Sequence, residues 1–492
     1  MNAPRPVRAW LDSLSSGIVE FEQDWKGAAR PAIALSGGVE VTGFSRAPDL
    51  AAAKTYRYFV TDDATVSFVL PLRRGSGVDP AVQRVYVGGS FNGWQAAVGD
   101  EAWRLKPQIL GGEKVLLWSG PMSRVAVGED IQFKFVTGEN LWLHPPDDTP
   151  NCVGDASGNF NRFVDFGRTG AHLWRFTLGA ALDLAGVWTV AAGVDLSKPA
   201  LTLLPGEFFF ELGTDLPLGA LVSERATVFR LFAPRAESVT LHLSRNPSSR
   251  KSASTFPLAR RSDAHGAAGL WELELDQNLH RWFYWYSIES VDGATGSRAE
   301  KTDVLDPYAL ATVDRDGPGI VLDRAWVGKG DTGFKTPAWQ DLVIAEAHVR
   351  DLTAKAPVKL SASERRGFSG LAKWVESPDF YLHHLGVNCV ELQPVQEFDN
   401  KTIEEYHWGY MTNSYFAPES SYSLAPTEAS GVKELQRLVR SFHSRGIAVL
   451  LDVVYNHVGE PPHLEAIDRL YYFEQDQAGN LANWSGCGND LR

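Results

Sequence analysis

The stretch from Gly446 to Gly459, GIAVLLDVVYNHVG, constrains the fold most, because an unbroken apolar run ends abruptly in hydrogen-bonding side chains. Ile447 to Leu451 show no polar alternation, the pattern of a strand covered on both faces. Asp452, Asn456 and His457 follow where such a strand opens into a loop at its carboxyl end, the edge at which barrels of parallel strands build their sites. Just upstream, Val432, Leu435, Val439 and Phe442 recur at helical spacing, and Arg445 with Gly446 supplies a C-terminal stop. The spacing therefore predicts helix, tight turn, buried strand and polar loop.

Two earlier runs extend the same order. LVIAEAHV, beginning just after Asp341, reads as a buried strand ending in Arg350 and Asp351. Ser377, Pro378 and Asp379 read as a helix start with proline in its first turn, and Gly386 closes that helix before a second strand, VNCVELQPV. Strand, helix, strand, helix, strand is the order a parallel barrel requires, and three such strands are legible.

A chain of 492 residues is too long for one core and divides into several domains. Its net charge of -13 leaves no electrostatic footprint for nucleic acid, so a neutral ligand is expected. Sixteen tryptophans supply flat faces of the kind that cover sugar rings. Cys152, Cys389 and Cys487 are too widely spaced for a metal site and read as free thiols. No secretory signal follows the basic residues of MNAPRPVRAWLDSL, and no apolar run is long enough for a membrane span, so a cytoplasmic setting is expected.

Taken in order, residues 1–60 form an N-terminal segment of unclear role, with short strands suggested at Gly17 to Phe21 and Gly38 to Phe44. Residues 61–167 alternate as a β-sandwich does, with Val85 and Val87 in one strand and Ile131, Phe133 and Phe135 in another. Residues 168–204 read as a linker with a strand or two, and 205–325 as a second β-sandwich. In that module Trp282 to Tyr286 are consecutive aromatics assigned to packing, since neighbours along a strand point to opposite faces. Residues 326–492 hold the parallel strands.

Several motifs resemble known families. DVVYNH at 452–457 resembles the first conserved region of the α-amylase superfamily of glycoside hydrolases, on the third strand of a (β/α)8 barrel. YHWGYMTNSYFAPESSYS at 406–423 is similar to the isoamylase and pullulanase form of the segment between the second and third strands, and GCGND at 486–490 to a stretch that debranching enzymes carry afterwards. Met411 replaces the Asp usual in pullulanases and agrees with isoamylases. FRLFAP at 229–234 and DPYA at 306–309 resemble the β-sandwich that precedes the barrel in both. GSFNGW at 89–94 and FKFVTGENLW at 133–142 resemble the glycogen-binding modules of α-glucan enzymes and of the AMP-activated kinase β subunit. The fold class so implied is multidomain: two immunoglobulin-like β-sandwiches followed by the first three β/α units of a TIM barrel that is incomplete in this chain.

The resemblance also implies site residues. Trp94 and Trp142 would stack on glucose rings of an α-glucan while Lys134 and Asn161 bond its hydroxyls. Tyr410 would be the platform under the sugar whose bond is cleaved, His457 would donate to a hydroxyl beside that bond, and Asp452 would orient neighbouring polar groups. Asn456 offers a side-chain carbonyl suited to a structural calcium, a single ligand, and no other cofactor is implied. Retaining hydrolysis needs two carboxyl groups about 5 Å apart. The family places its Asp, Glu and second Asp after strands 4, 5 and 7, beyond Arg492, so Glu346, Asp351, Glu391, Glu397 and Asp399 are assigned scaffold or hydrogen-bonding roles.

The implied function is the N-terminal portion of an enzyme hydrolysing α-1,6 branches in glycogen- or starch-like polymers. The alternatives are a branching enzyme, which shares the glycosyl-enzyme step, and a non-catalytic glucan-binding protein. Three strands of a closed barrel leave open edges, so residues 341–492 expressed alone are expected to aggregate or stay partly unfolded, and a cooperative, monomeric melt of that fragment would count against this.

Overall fold

Alternating and continuous apolar runs become sheets in a computed structural model that describes residues 3–492, apart from 26–29, 47–53, 62, 73–77, 80–82, 111–112, 146–148, 155–157, 198–199, 249, 262–268, 291–300, 332 and 476–478. The chain forms two compact units, Met1–Glu211 with Gln475–Asn480, and Leu212–Glu474 with Leu481–Arg492. No helix among the described residues is long and apolar enough to cross a membrane.

In the first unit, a seven-stranded sheet runs in the order Ala32–Leu35, Thr189–Gly193, Leu201–Pro205, Pro6–Ser13, Ser16–Phe21, Leu173–Leu178, Val41–Arg46. The segment read from sequence as a linker, 168–204, thus supplies three of its strands. Leu173–Leu178 shows why it was hard to read: it lies between two partners and is covered on both faces, so Leu173, Trp174, Phe176 and Leu178 are all buried and no clean alternation survives. Its partners are also more than a hundred residues away, which local patterning does not register.

Inserted into that sheet's connectivity is the first sandwich. One layer pairs Tyr58–Val60, Thr65–Pro71, Glu113–Pro121 and Lys106–Leu110; the other has Gln132–Thr137 at its centre, flanked by Val85–Gly89, Trp142–Leu143 and Phe160–Phe163, with Cys152–Gly154 beyond. Phe68, Phe133, Phe135, Val87 and Trp118 fill the space between the layers.

The second unit opens with the other sandwich, in which Gly219–Val222, Thr227–Phe232, Leu270–Leu275 and Ala259–Arg260 face Ser254–Pro257, Ala236–Ser244, Phe283–Ser290 and Thr302–Val304. Tyr284, Trp285 and Tyr286 are buried, as packing residues should be. Beyond it, Ile344–Ala347, Cys389–Leu392 and Ala448–Leu451 pair in parallel and in that order. Their register aligns Ala345, Val390 and Val449 on the face that packs against helices Phe368–Glu376 and Ser430–Ser444. The helix expected to start at Ser377 is only the short turn Tyr381–His384; the main covering helix is Phe368–Glu376, which was not read from sequence. Arg445 caps it, donating from Nε to the Val375 carbonyl at 3.0 Å and from Nη2 to that of Glu376.

Helix His463–Tyr472 then returns to the sandwich. Leu464, Ile467 and Phe473 join the sandwich core beside Phe229, Leu241 and Tyr286. Within this apolar contact Arg235 and Asp468 form a buried pair, Nη2 to Oδ1 at 2.6 Å and Nε to both oxygens at 3.0 and 3.1 Å. Removing one partner strands the other charge in a dry setting. Arg235→Ala should therefore destabilise the chain by ~3–5 kcal/mol in denaturant melts, and replacing both partners by apolar residues should cost less.

Candidate functional site

The ends of the three parallel strands converge on one loop. Asp452 continues the ladder by donating its N–H to the Leu392 carbonyl at 2.9 Å, which aims the residues after it over the strand ends. The segment 457–459 then crosses the backbone of 410–412 at close range. Gly459 donates to the Thr412 carbonyl at 2.7 Å, and a Cβ at this position would lie 2.1 Å from the Met411 carbonyl oxygen, so only glycine permits the crossing. Gly409 is similarly required, with φ of +90° and Pro394 O only 2.8 Å from where a Cβ would stand.

This crossing brings together the four residues expected here. The Tyr410 hydroxyl donates to Asp452 Oδ2 at 2.8 Å. His457 Nε2 donates to the Tyr410 carbonyl at 2.9 Å, and the Asn456 side-chain amide lies 3.0 Å from Nδ1. Burial and then the bond to Asp452 push Tyr410 up to about 12, so its hydroxyl keeps its proton. The expectation that His457 donates to a sugar hydroxyl differs from this geometry: the ring is buried and both nitrogens are engaged within the protein. Its visible task is to fix the Tyr410 backbone. Asn456, read from sequence as at most a single oxygen ligand for a structural calcium, has its side chain turned to His457.

The GCGND motif braces the same loop from behind. Asn489 donates from Nδ2 to the Val458 carbonyl at 2.9 Å and accepts from its N–H at 3.4 Å. Asp490, buried and bridged to His457, accepts from the backbone of Trp484 and Ser485. Sequence reading flagged the motif without giving it this role. It also missed His407, whose Nε2 lies 3.0 Å from Asp399 Oδ1 and whose ring stacks on Phe398 at 4.9 Å. The bond to Asp399 raises the His407 pKa.

Of the other carboxylates, Glu346 accepts from Gln393 Nε2 at 2.8 Å and Asp351 from the Tyr406 hydroxyl at 3.0 Å. Glu397 and Glu419 are fully buried together. Glu397 accepts from the Ser420 N–H at 2.7 Å, and Glu419 from those of Phe398 and Ser421 at 3.1 and 2.8 Å. Burial first, then the neighbouring Glu419 charge, holds Glu397 well above the ordinary carboxylate range, and burial pushes Glu419 up to about 7.

In the first sandwich the sheet's alternation sorts the expected sugar-site residues. Phe133 and Phe135 enter the core between the layers, so Gln132, Lys134 and Val136 take the opposite face of the sheet, where Lys134 and Val136 are themselves covered. Lys134 is paired with Gly88, and Val136 with Trp142, while Asn161 Nδ2 reaches Gln132 Oε1 at 3.1 Å. Trp94, held at φ of +55°, brings its ring centroid to 6.0 Å from that of Trp142. A Cβ at Gly88 would sit 2.7 Å from the Trp142 ring, so glycine lets the indole lie against the sheet. Trp142 Nε1 donates to Asn140 Oδ1 at 3.2 Å, fixing its edge, and Lys134 Nζ lies 3.1 Å from His144 Nδ1. Trp94, Trp142, Lys134 and Asn161 therefore lie on one side of the sheet, with Lys134 buried among its neighbours.

The described residues thus form β-sandwich modules followed by parallel β/α units. Residues 217–309 match the family model for carbohydrate-binding module 48, the isoamylase N-terminal domain. The chain is a relative of pullulanases, isoamylases and glycogen debranching enzymes. It is 30% identical over 308 residues to the pullulanase of Bacillus subtilis, covering 58% of this chain and 39% of that protein. It is 32% identical over 324 residues to chloroplastic isoamylase 3 of Oryza sativa subsp. japonica, covering 58% and 41%. A glycogen debranching enzyme of Dickeya chrysanthemi is 36% identical over 186 residues, covering 36% and 27%. The chain thus spans about two fifths of the length of the first two of these relatives. The pullulanase from Bacillus acidopullulyticus superposes with a TM-score of 0.56 at 23% identity, over 99% of this chain and 59% of that one. That of Paenibacillus barengoltzii, solved with maltohexaose and alpha-cyclodextrin, gives 0.50 at 27%, over 58% and 46%.

The buried glutamate pair has a testable consequence. Both groups bind their protons more tightly folded than unfolded, so their contribution to stability falls as pH rises from the unfolded carboxylate value through about 7. The melting temperature of Glu419→Gln, taken relative to the unsubstituted chain, should rise steadily between about pH 5 and about pH 8.

Proposed function

We propose that this chain is the N-terminal portion of a debranching glycoside hydrolase that cleaves α-1,6 linkages in glycogen- or starch-like glucans with retention. The observation that carries this reading is the meeting of Tyr410, Asp452, Asn456 and His457 at the carboxyl ends of three parallel strands, where barrels place their chemistry. Tyr410 is the platform for the sugar at the cleaved bond. Asp452 holds its hydroxyl and His457 its backbone, so the ring is set in place before substrate arrives.

Retention requires an attacking carboxylate and a protonating carboxyl about 5 Å apart. In this reading they stand on further parallel strands of a (β/α)8 barrel. Glu397 and Glu419 are sealed in the interior and serve as scaffold. The strands Ile344–Ala347 and Ala448–Leu451 each pair on one side only among the described residues, and Ile344 and Leu451 are exposed, which is consistent with further strands joining there. The cytoplasmic setting stays part of this proposal and rests on sequence alone.

The first sandwich tethers the polymer through Trp94 and Trp142, with Lys134 and Asn161 bonding hydroxyls. The second, although it is the one matching carbohydrate-binding module 48, has core residues committed to helix His463–Tyr472 and acts as a support. In native affinity gels containing glycogen, Trp94→Ala and Trp142→Ala should each relieve most of the retardation, an affinity loss of roughly tenfold. Unchanged migration of both would remove the sugar-site assignment.

A further inference from the structure

The backbone that carries Tyr410 is held on both sides by histidines. His457 takes its carbonyl, and His407 takes the amide just before it, since the Gly409 N–H donates to His407 Nδ1 at 2.9 Å. Because Nδ1 accepts there, it carries no proton, and the proton of the neutral ring sits on Nε2, 3.0 Å from Asp399 Oδ1. Phe398 stacks on the ring at 4.9 Å, and His348 Nε2 donates to the His407 carbonyl at 3.0 Å, which leaves the imidazole little room to turn over.

Both ring nitrogens are therefore committed, and only in the neutral form. A proton taken from solvent has one place to go, Nδ1, where the new N–H would face that of Gly409 across 2.9 Å. Two donors cannot share a hydrogen bond. Gly409 is buried in a left-handed turn with φ of +90°, and a buried amide without an acceptor is costly, so the turn that sets Tyr410 has to give way.

The surroundings favour that proton. The charged and titratable groups around His407 are Asp399, Glu405 on its own segment, Glu419 with its neighbour Glu397, and His348. The bond to Asp399 outweighs burial and, with the charges of Glu405 and Glu419, raises the His407 pKa above the ordinary histidine value. Burial lowers that of His348, so His407 is the first of the two to charge as pH falls. Burial also opposes the Asp399 charge, yet the His407 bond, the Glu460 N–H and the nearby Arg315 hold its pKa below the usual carboxylate value. Since the folded His407 value is raised, its pair with Asp399 stabilises most fully at low pH and fades as pH rises through that value. Acid thus favours the pair while it undoes the bond to Gly409.

We propose that His407 is a positioning residue for the Tyr410 platform: neutral, it latches the Gly409 amide through Nδ1, and on taking up a proton it lets that amide go, so that glucan is gripped at mildly alkaline pH and released on acidification. This rests on the reading of Tyr410 as the sugar platform and adds regulation to it.

The first measurement is hydrogen exchange of the full chain, read at the Gly409 amide and corrected for the intrinsic dependence of exchange on pH. Protection there should fall roughly tenfold between about pH 8 and about pH 5.5. His407→Asn places an amide oxygen where Nδ1 stood and should keep the protection at both ends of the range. His407→Gln reaches Asp399 but not Gly409 and should lose it at both. The second measurement titrates maltohexaose by calorimetry into the full chain carrying Trp94→Ala and Trp142→Ala, so that the first sandwich does not contribute. Affinity should fall roughly tenfold over the same range and stay level once His407→Asn is added.

Gly409 protection that is flat with pH in the unsubstituted chain overturns the latch outright. So does a pH-dependent affinity that persists in His407→Asn, which would assign the effect to the Glu397–Glu419 pair. If affinity is level with pH yet is lost in Tyr410→Ala, the platform stands and His407 does not position it. If maltohexaose fails to bind, or Tyr410→Ala changes nothing, the platform falls and the glucan role of His407 with it, while exchange at Gly409 still reports whether the ring holds that amide.

Discussion

The packing of helix His463–Tyr472 into the second sandwich is what the geometry at the strand ends depends on. Residues 452–462 leave a parallel strand at one end and enter that helix at the other, so the loop is held at both ends. Leu464, Ile467 and Phe473 supply the apolar burial, and the Arg235–Asp468 pair fixes orientation within it, since a bidentate contact tolerates little rotation. A loop so anchored can make the close backbone crossing at Gly459, and that crossing delivers the His457 ring to the Tyr410 carbonyl. Remove the anchor and the crossing at Gly459 is held from one end only.

Much of this was legible in the sequence, for reasons that differ by element. The third parallel strand and the helix before it were visible because an unbroken apolar run and 3.6-residue spacing are local signals, and Ala448–Leu451 and Ser430–Ser444 fall where they were expected, although Leu451 is exposed and the strand is not covered on both faces. The outward surface around Trp94 was readable because alternation assigns faces without any knowledge of partners. Helix Phe368–Glu376 was missed although Phe368, Leu371, Trp374 and Val375 recur at helical spacing, because Ser377 and Pro378 drew the helix start to the short turn that follows them. The seven-stranded sheet was missed because its register joins the two ends of the first unit. The bond from His457 to the Tyr410 carbonyl was not legible, since sequence marks a polar side chain without saying which backbone group it meets.

The two sandwiches illustrate how one architecture divides its labour. In the first, the central strand Gln132–Thr137 sends phenylalanines between the layers and turns Gln132 and the buried Lys134 to the opposite face, the side on which the half-buried tryptophan pair lies. In the second, the corresponding wealth of aromatics is turned inward, with Tyr284, Trp285 and Tyr286 all buried, and the core extends into a helix from outside the module. A match to a carbohydrate-binding family is a statement about this scaffold, whereas ligand capacity depends on which side of each strand the rings occupy.

The first sandwich enters and leaves the seven-stranded sheet through two separate chain crossings, one before Tyr58 and one after Phe163, and the Val60 N–H adds a bond to the Thr169 carbonyl at 3.0 Å. A module hung on a single tether swivels freely, but one hung on two resists twisting. Force applied to its outer surface would therefore be shared between both crossings and spread into the sheet as shear across many hydrogen bonds, instead of peeling one strand at a time.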